Sequence, residues 1–165
     1  MEKSLSISTV NVSTLTLSIN SPDCITLRVL YSTEMAILYI AVYKPRQTLG
    51  TYHWTLYLEE GDSHLVFQVV RNPGQFQYQE LSSRPENTDR HVENIFVADI
   101  DDIEGYHAVV NSQAVDNETY HWGCQQWVFD VLESLLDDSI ITDYDHGEAK
   151  HKLEMIFQVE IEGDE

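Results

Sequence analysis

The sequence predicts an α+β fold: an antiparallel β-sheet covered by two or three helices. Three features point to it. The first half holds five short runs rich in β-branched and aromatic residues, separated by turn residues. Beyond residue 98, two stretches repeat apolar residues at spacings of three and four behind N-capping residues. A hydrophobic content of 42% in 165 residues supplies a core without staples, so a single α+β domain over 1–165 is expected.

The five runs are 14–19, 24–31, 35–43, 52–58 and 64–70, each read as a strand. Asn20-Ser21-Pro22-Asp23, Lys44-Pro45 and Glu60-Gly61-Asp62-Ser63 punctuate them. The last of these joins two alternating runs and predicts a hairpin over 52–70, closed by a loop of four or five residues. Period-two alternation then places His53, Thr55 and Tyr57 on one face and Trp54, Leu56 and Leu58 on the other. From 71 to 94, Pro73, Gly74 and Pro85 interrupt a polar stretch that reads as a long surface loop with one short strand at 75–79. Residues 99–102 offer caps for a short helix through Val110, and Asn117 or Thr119 caps a second over 120–136. Cys124, Trp127, Val128, Val131 and Leu135 share one face of that second helix. Asp143-Tyr144-Asp145-His146-Gly147-Glu148 reads as an acidic surface loop; its glycine falls one place early for a calcium loop. The alternation of Met155, Phe157, Val159 and Ile161 predicts a closing half-buried strand over 153–161.

Charge and cysteine content exclude several classes. Asp and Glu number 28 against 9 Lys and Arg, a formal net charge of -19 that repels phosphate backbones and anionic lipid. No nucleic acid is expected as partner, and a neutral or cationic small molecule or peptide is the easier substrate to admit. Much of the excess also serves solubility. The longest apolar run, 35–43, is too short for a membrane anchor, and the N-terminal residues lack a signal pattern, so a cytoplasmic protein is expected. Two cysteines, Cys24 and Cys124, make no disulfide framework. His121 precedes Cys124 by three residues but has no second ligand pair nearby, so neither metal nor other cofactor is expected.

Cys124 is the residue with the most chemistry. A thiol at a helix N-terminus feels the positive end of the macrodipole, which favours the thiolate. Gly123 leaves room for an incoming carbonyl, and the open N–H groups of Cys124 and Gln125 suit an oxyanion. Most free cysteines on amphipathic helices are simply buried, and the histidine-bearing strand is what shifts the balance. His53 sits on a rigid element, as a general base requires. Its orienting partner comes from the neighbouring strand, where Gln68 is favoured over His64 because an unpaired amide inside an apolar run is costly. Tyr57, His64, Tyr120, His121 and Trp127 are the candidate substrate-binding residues.

The segments His53-Trp54-Thr55-Leu56-Tyr57 and Gly123-Cys124-Gln125-Gln126-Trp127 resemble the H-W-A-x-Y and N-C-E-H-F motifs of circularly permuted papain-like thiol enzymes, the lecithin-retinol acyltransferase-like and NlpC-type proteins. The resemblance is closer still to uncharacterised fungal proteins with H-W-x-x-Y-L and G-C-R-x-W segments. It implies a permuted papain-like arrangement with Cys124 as nucleophile and His53 as base. Gly123 stands where those enzymes carry Asn, and their membrane-anchoring segment has no counterpart. The expected activity is hydrolysis or transfer of an acyl or peptidyl group. Two alternatives stand beside it: a cyclase or isomerase of fungal secondary metabolism that uses the same pocket without a covalent intermediate, and a non-catalytic acidic interaction module.

Overall fold

The computed structural model describes residues 15–19, 25–29, 35–46 and 50–162. The chain divides into two compact units, 1–34 and 35–165. In the first, β1 (Leu15–Ile19) pairs antiparallel with β2 (Ile25–Val29), Leu15 opposite Val29 and Ile19 opposite Ile25. The predicted turn between them and Cys24 lie outside the described residues.

The second unit is a five-stranded antiparallel sheet with three helices, so the α+β expectation holds. Strands β3 (Ala36–Tyr43), β4 (His53–Glu60), β5 (Ser63–Val70) and β6 (Gln77–Ser82) form a meander; β7 (His91–Ile100) returns to the free edge of β3. The strand order is β6-β5-β4-β3-β7. The predicted hairpin forms with a tighter turn than expected: Glu60 pairs directly with Ser63 across Gly61-Asp62. Gly61 has φ 54, the positive value that the first central position of a two-residue type II′ turn requires.

Alternation along β4 is as predicted, and it divides the sheet's side chains into two clusters. Trp54, Leu56 and Leu58 join Leu38, Ile40, Phe67 and Val69 in the main core under the helices. Tyr57 joins Ala41, Tyr43 and Val66 in a smaller cluster on the opposite face, with Tyr39 stacked on it at 5.6 Å between ring centroids. Thr55 is completely buried on that second face.

Two predictions fail locally. The long loop over 71–94 is shorter than expected: the short strand predicted at 75–79 forms as β6 at 77–82, a single 3-10 turn spans Pro85–Asn87, and β7 starts at His91. The polar residues of β7 hide its strand character. Its alternation survives in Ile95 and Val97 and again in Ala98 and Ile100, on either side of a register shift at Val97, all buried in the main core. The closing strand predicted over 153–161 is part of a helix, α3 (Asp143–Glu162), and the acidic surface loop before it is that helix's first turn. Thr142 caps it reciprocally: its Oγ1 accepts from the Asp145 backbone N–H at 3.2 Å, and the Asp145 carboxylate accepts from the Thr142 N–H at 3.0 Å. Ala149, Leu153 and Ile156 then pack on the core at spacings of four and three. A helical seam of that kind overrides a period-two pattern because the surrounding residues, Ala, Glu, Lys, Leu and Met, are strong helix formers.

The other helices are α1 (Ile103–Ser112) and α2 (Cys124–Asp137). Asp102 caps α1 as predicted, accepting from the Gly105 N–H at 2.8 Å. A side chain at Gly105 would meet that same carboxylate and the tip of Ile140, so a substitution there displaces the Asp102 cap. Helix α2 buries Trp127, Val128, Val131, Leu132 and Leu135 against β4 and β5, with α1 and α3 beside it. No helix among the described residues is long and apolar enough to cross a membrane.

Candidate active site

His53 is the first residue of β4 and is half-buried, its ring 5.9 Å from that of Tyr43 on β3. His53 Nε2 lies 2.8 Å from Gln68 Oε1 on β5. The Gln68 amide nitrogen donates to Gln79 Oε1 on β6 at 3.0 Å. Gln68 therefore offers His53 its carbonyl oxygen, which only accepts. The ring proton must sit on Nε2 and the lone pair on Nδ1. Burial pushes the His53 pKa below its usual 6.5; the Gln68 bond works against that, and the positive fields of Arg90 and Arg46 deepen it.

Cys124 opens α2, behind Gly123 in extended conformation, φ -168 and ψ -165, with no side-chain cap. Asn117 and Thr119, the predicted caps, are engaged upstream. The Asn117 amide brackets the Phe76 backbone, accepting from its N–H at 2.6 Å and donating to its carbonyl at 3.1 Å. The Thr119 N–H donates to Asp116. The helix therefore begins at Cys124, not near 120, and no side chain caps its first turn.

The helix start and the histidine strand converge. Gln125 Nε2 donates to the Tyr52 carbonyl at 3.0 Å, and the backbone N–H groups of Trp54 and Gln125 lie close enough to the Cys124 sulfur to favour its thiolate. The sequence reading expects a depressed thiol pKa at this helix end. In the structure burial is the larger influence and pushes the Cys124 thiol up, with those N–H groups pulling the other way. Thiol and imidazole are thus both neutral at rest.

His53, Gln68, Cys124, Tyr120 and His121 all line one open groove of about 1170 Å³ that wraps the start of β4 and takes side chains from both faces of the sheet. Trp122 forms part of its wall. Its Nε1 donates to Asp130 at 3.0 Å, Gln126 donates to the same carboxylate at 2.8 Å, and Phe76 packs edge-on against the indole at 5.4 Å.

Three of the predicted substrate-binding residues lie away from the groove lining. Tyr57 and His64 bond each other, hydroxyl to Nδ1 at 2.8 Å, further along the hairpin. Trp127 is fully buried beneath the sheet against Tyr78. Its position three residues past Cys124 turns it into the core, as the helix period requires. Tyr120 and His121 remain at the mouth, Tyr120 largely exposed. Gln79 lines the groove though nothing in its own segment marks it, and only the fold shows that it holds Gln68 and that the Gln125 side chain holds Tyr52. Among the described residues, no three His, Cys, Asp or Glu side chains converge as a metal centre.

A family model described as a family of unknown function, DUF6914, matches residues 36–151. The chain belongs to DUF6914. The matched segment starts with β3 and contains His53, Gln68, Gln79 and Cys124, so the whole hydrogen-bonded site lies inside the DUF6914 region. No curated protein and no solved structure matches this DUF6914 chain.

Proposed function

We propose that this protein is a cysteine-dependent acyl or peptidyl hydrolase or transferase with a permuted papain-like arrangement, Cys124 its nucleophile, His53 its base and Gln68 the residue that orients the base. One observation carries the reading: the Gln79–Gln68–His53 chain of hydrogen bonds fixes the imidazole tautomer in the groove that Cys124 also lines. An imidazole needs that arrangement to act as a base, because Nε2–H is held and Nδ1 is left to take a proton.

In this reading Nδ1 takes the Cys124 thiol proton as the sulfur attacks the substrate carbonyl carbon. A C–S bond forms and the carbonyl electrons move to oxygen. The tetrahedral oxyanion sits beside the backbone N–H groups at the start of α2. Its collapse breaks the bond to the leaving group, which departs with the proton from His53 and leaves a thioester on Cys124. Water, or another acceptor deprotonated by His53, attacks the thioester; C–S breaks, and the proton returns to sulfur. Starting from neutral partners suits a general-base step better than a resting thiolate–imidazolium pair.

The test is a panel of activated esters, thioesters and amides. Wild type is expected to release one equivalent of leaving group in a burst and to carry the acyl mass on the peptide containing Cys124, while Cys124→Ala does neither. Full turnover by Cys124→Ser would overturn the proposal. A non-covalent cyclase or isomerase is the second reading, favoured by the same neutral resting state, since a neutral imidazole and a high-pKa thiol make a proton-transfer pair. It predicts turnover with no adduct and partial activity in Cys124→Ser.

A further inference from the structure

The groove contradicts the chain's overall charge. Asp and Glu outnumber Lys and Arg by 28 to 9, yet no Asp or Glu lines the groove, whereas four of the five arginines do: Arg46, Arg71, Arg84 and Arg90. They come from separate places in the sequence: the end of β3, the end of β5, the approach to the 3-10 turn and the approach to β7. Among the described residues none of the four has a carboxylate within salt-bridge distance; the ion pair found there joins His146 to Glu133. Arg90 is anchored by its guanidinium on the Lys44 carbonyl at 3.3 Å and by its own carbonyl, which accepts from the Lys44 N–H at 2.8 Å. Arg71 is held in a left-handed backbone conformation, φ 91, which a side-chain-bearing residue rarely adopts. Strain of this kind persists where the surroundings enforce it and gathers at functional sites.

On a surface this acidic, random placement would put carboxylates around any large opening. Keeping them out of the lining and collecting four cations there favours anions at the arginine side of the groove, while Glu86 of the 3-10 turn opposes Arg90 at Tyr43. The arginines' field reaches the base, since Arg90 and Arg46 both act on His53. We propose that the groove takes an anionic substrate, one bearing a carboxylate or phosphate group that the Arg46, Arg71, Arg84 and Arg90 side chains receive while its reacting carbonyl lies at Cys124 and His53. The substrate class rests on the thiol-enzyme reading; the anion site itself does not. It replaces the expectation of a neutral or cationic ligand drawn from net charge, because a ligand in a groove meets the local field before the global one. Planar guanidinium groups suit both oxyanion types by paired N–H donation.

Two measurements test the site and separate it from the chemistry. In the first, Cys124→Ala protein is titrated with glutarate, inorganic pyrophosphate, neutral glutaramide and the dication cadaverine, at constant ionic strength, by calorimetry. Glutarate or pyrophosphate is expected to bind at least roughly ten-fold more tightly than glutaramide, with cadaverine not binding, and Arg84→Gln/Arg90→Gln is expected to lose most of that preference. Preference for glutarate over pyrophosphate identifies a carboxylate ligand, the reverse a phosphate ligand. Equal binding of charged and neutral compounds, binding of none, or a preference that survives the double variant overturns the anion site. Arg71→Gly adds a separate check: relief of the strained φ is expected to raise the thermal midpoint while affinity for the anion falls. In the second measurement, the rate of Cys124 alkylation by iodoacetate is divided by the rate with iodoacetamide. The ratio is expected to drop several-fold in the double variant, the division cancelling any change in thiolate fraction that both reagents feel alike. An unchanged ratio counts against the arginine field at the thiol. Anion binding in the first measurement together with an unreactive Cys124 in the second leaves the site standing and removes the thiol-enzyme reading.

Discussion

His53 works in two ways that one pH series separates. Its pKa is depressed by burial, so the folded protein holds fewer protons on it than the unfolded chain does below pH 6.5. The stability it contributes is therefore fully present above that value and is lost as pH falls toward the lower folded pKa. Urea unfolding at pH 7.5 and pH 5 is expected to show a smaller drop in His53→Asn than in wild type. Activity follows the same group with the same sign: kcat/KM is expected to rise through an apparent pKa below 6.5 and to level off through neutral pH, since only the neutral imidazole accepts the thiol proton. Gln79→Ala tests the orienting chain. It leaves the His53–Gln68 pair free to flip its amide, so kcat is expected to fall with little change in KM, and Gln79→Glu, which keeps an acceptor for the Gln68 amide, is expected to recover part of it. A low-pH limb centred above 6.5, or a loss in Gln79→Ala confined to KM, would count against this assignment. Gln68 was legible as the hydrogen-bond partner of His53 from burial logic alone; Gln79 was not, because nothing in its own segment shows which strand it will face.

Helix α3 shows where an element is decided by its neighbours. It carries both a period-two pattern through Met155 and a helical seam through Ala149, Leu153 and Ile156, and the seam wins because a packed core accepts it. The two patterns predict different costly residues. Leu153→Ala is expected to destabilise by about 2–5 kcal/mol, and Met155→Ala, at a side chain 54% exposed, by under about 0.5 kcal/mol, both read from chemical denaturation. Thr142→Ala removes the cap and is expected to cost about 1 kcal/mol. A strand would reverse the order of Leu153 and Met155. Helix α2 behaves differently. Its apolar face was readable from spacing, but its first residue depended on where Asn117 and Thr119 went, and those side chains left for Phe76 and Asp116.

For the molecule as a whole, charge acts at two ranges with opposite signs. The formal net charge of -19 stores repulsion that salt screens, with a Debye length of about 10 Å at 0.1 M. The thermal midpoint is therefore expected to rise with NaCl over 0.02–0.5 M in scanning calorimetry. Binding of glutarate or pyrophosphate in the arginine-lined groove is expected to weaken over the same range, since that attraction is screened too. A midpoint that falls with salt would mean that specific ion pairs outweigh the general repulsion.

The sequence by itself determined the fold class, four strands of the main sheet, the face of β4 that carries His53, and the place of Cys124 near the start of α2. These are local patterns: periods of two and 3.6 set which side a residue takes before any partner is chosen. Tertiary structure alone decided the rest. It gave β7 its place beside β3, turned the closing segment into helix, and sent Tyr57, His64 and Trp127 away from the groove. It raised the Cys124 thiol where a helix end alone would lower it, because desolvation depends on everything packed around a residue and not on its place in the chain. It also gathered four scattered arginines around one opening. Net charge sums a chain regardless of position, and a binding site responds to position.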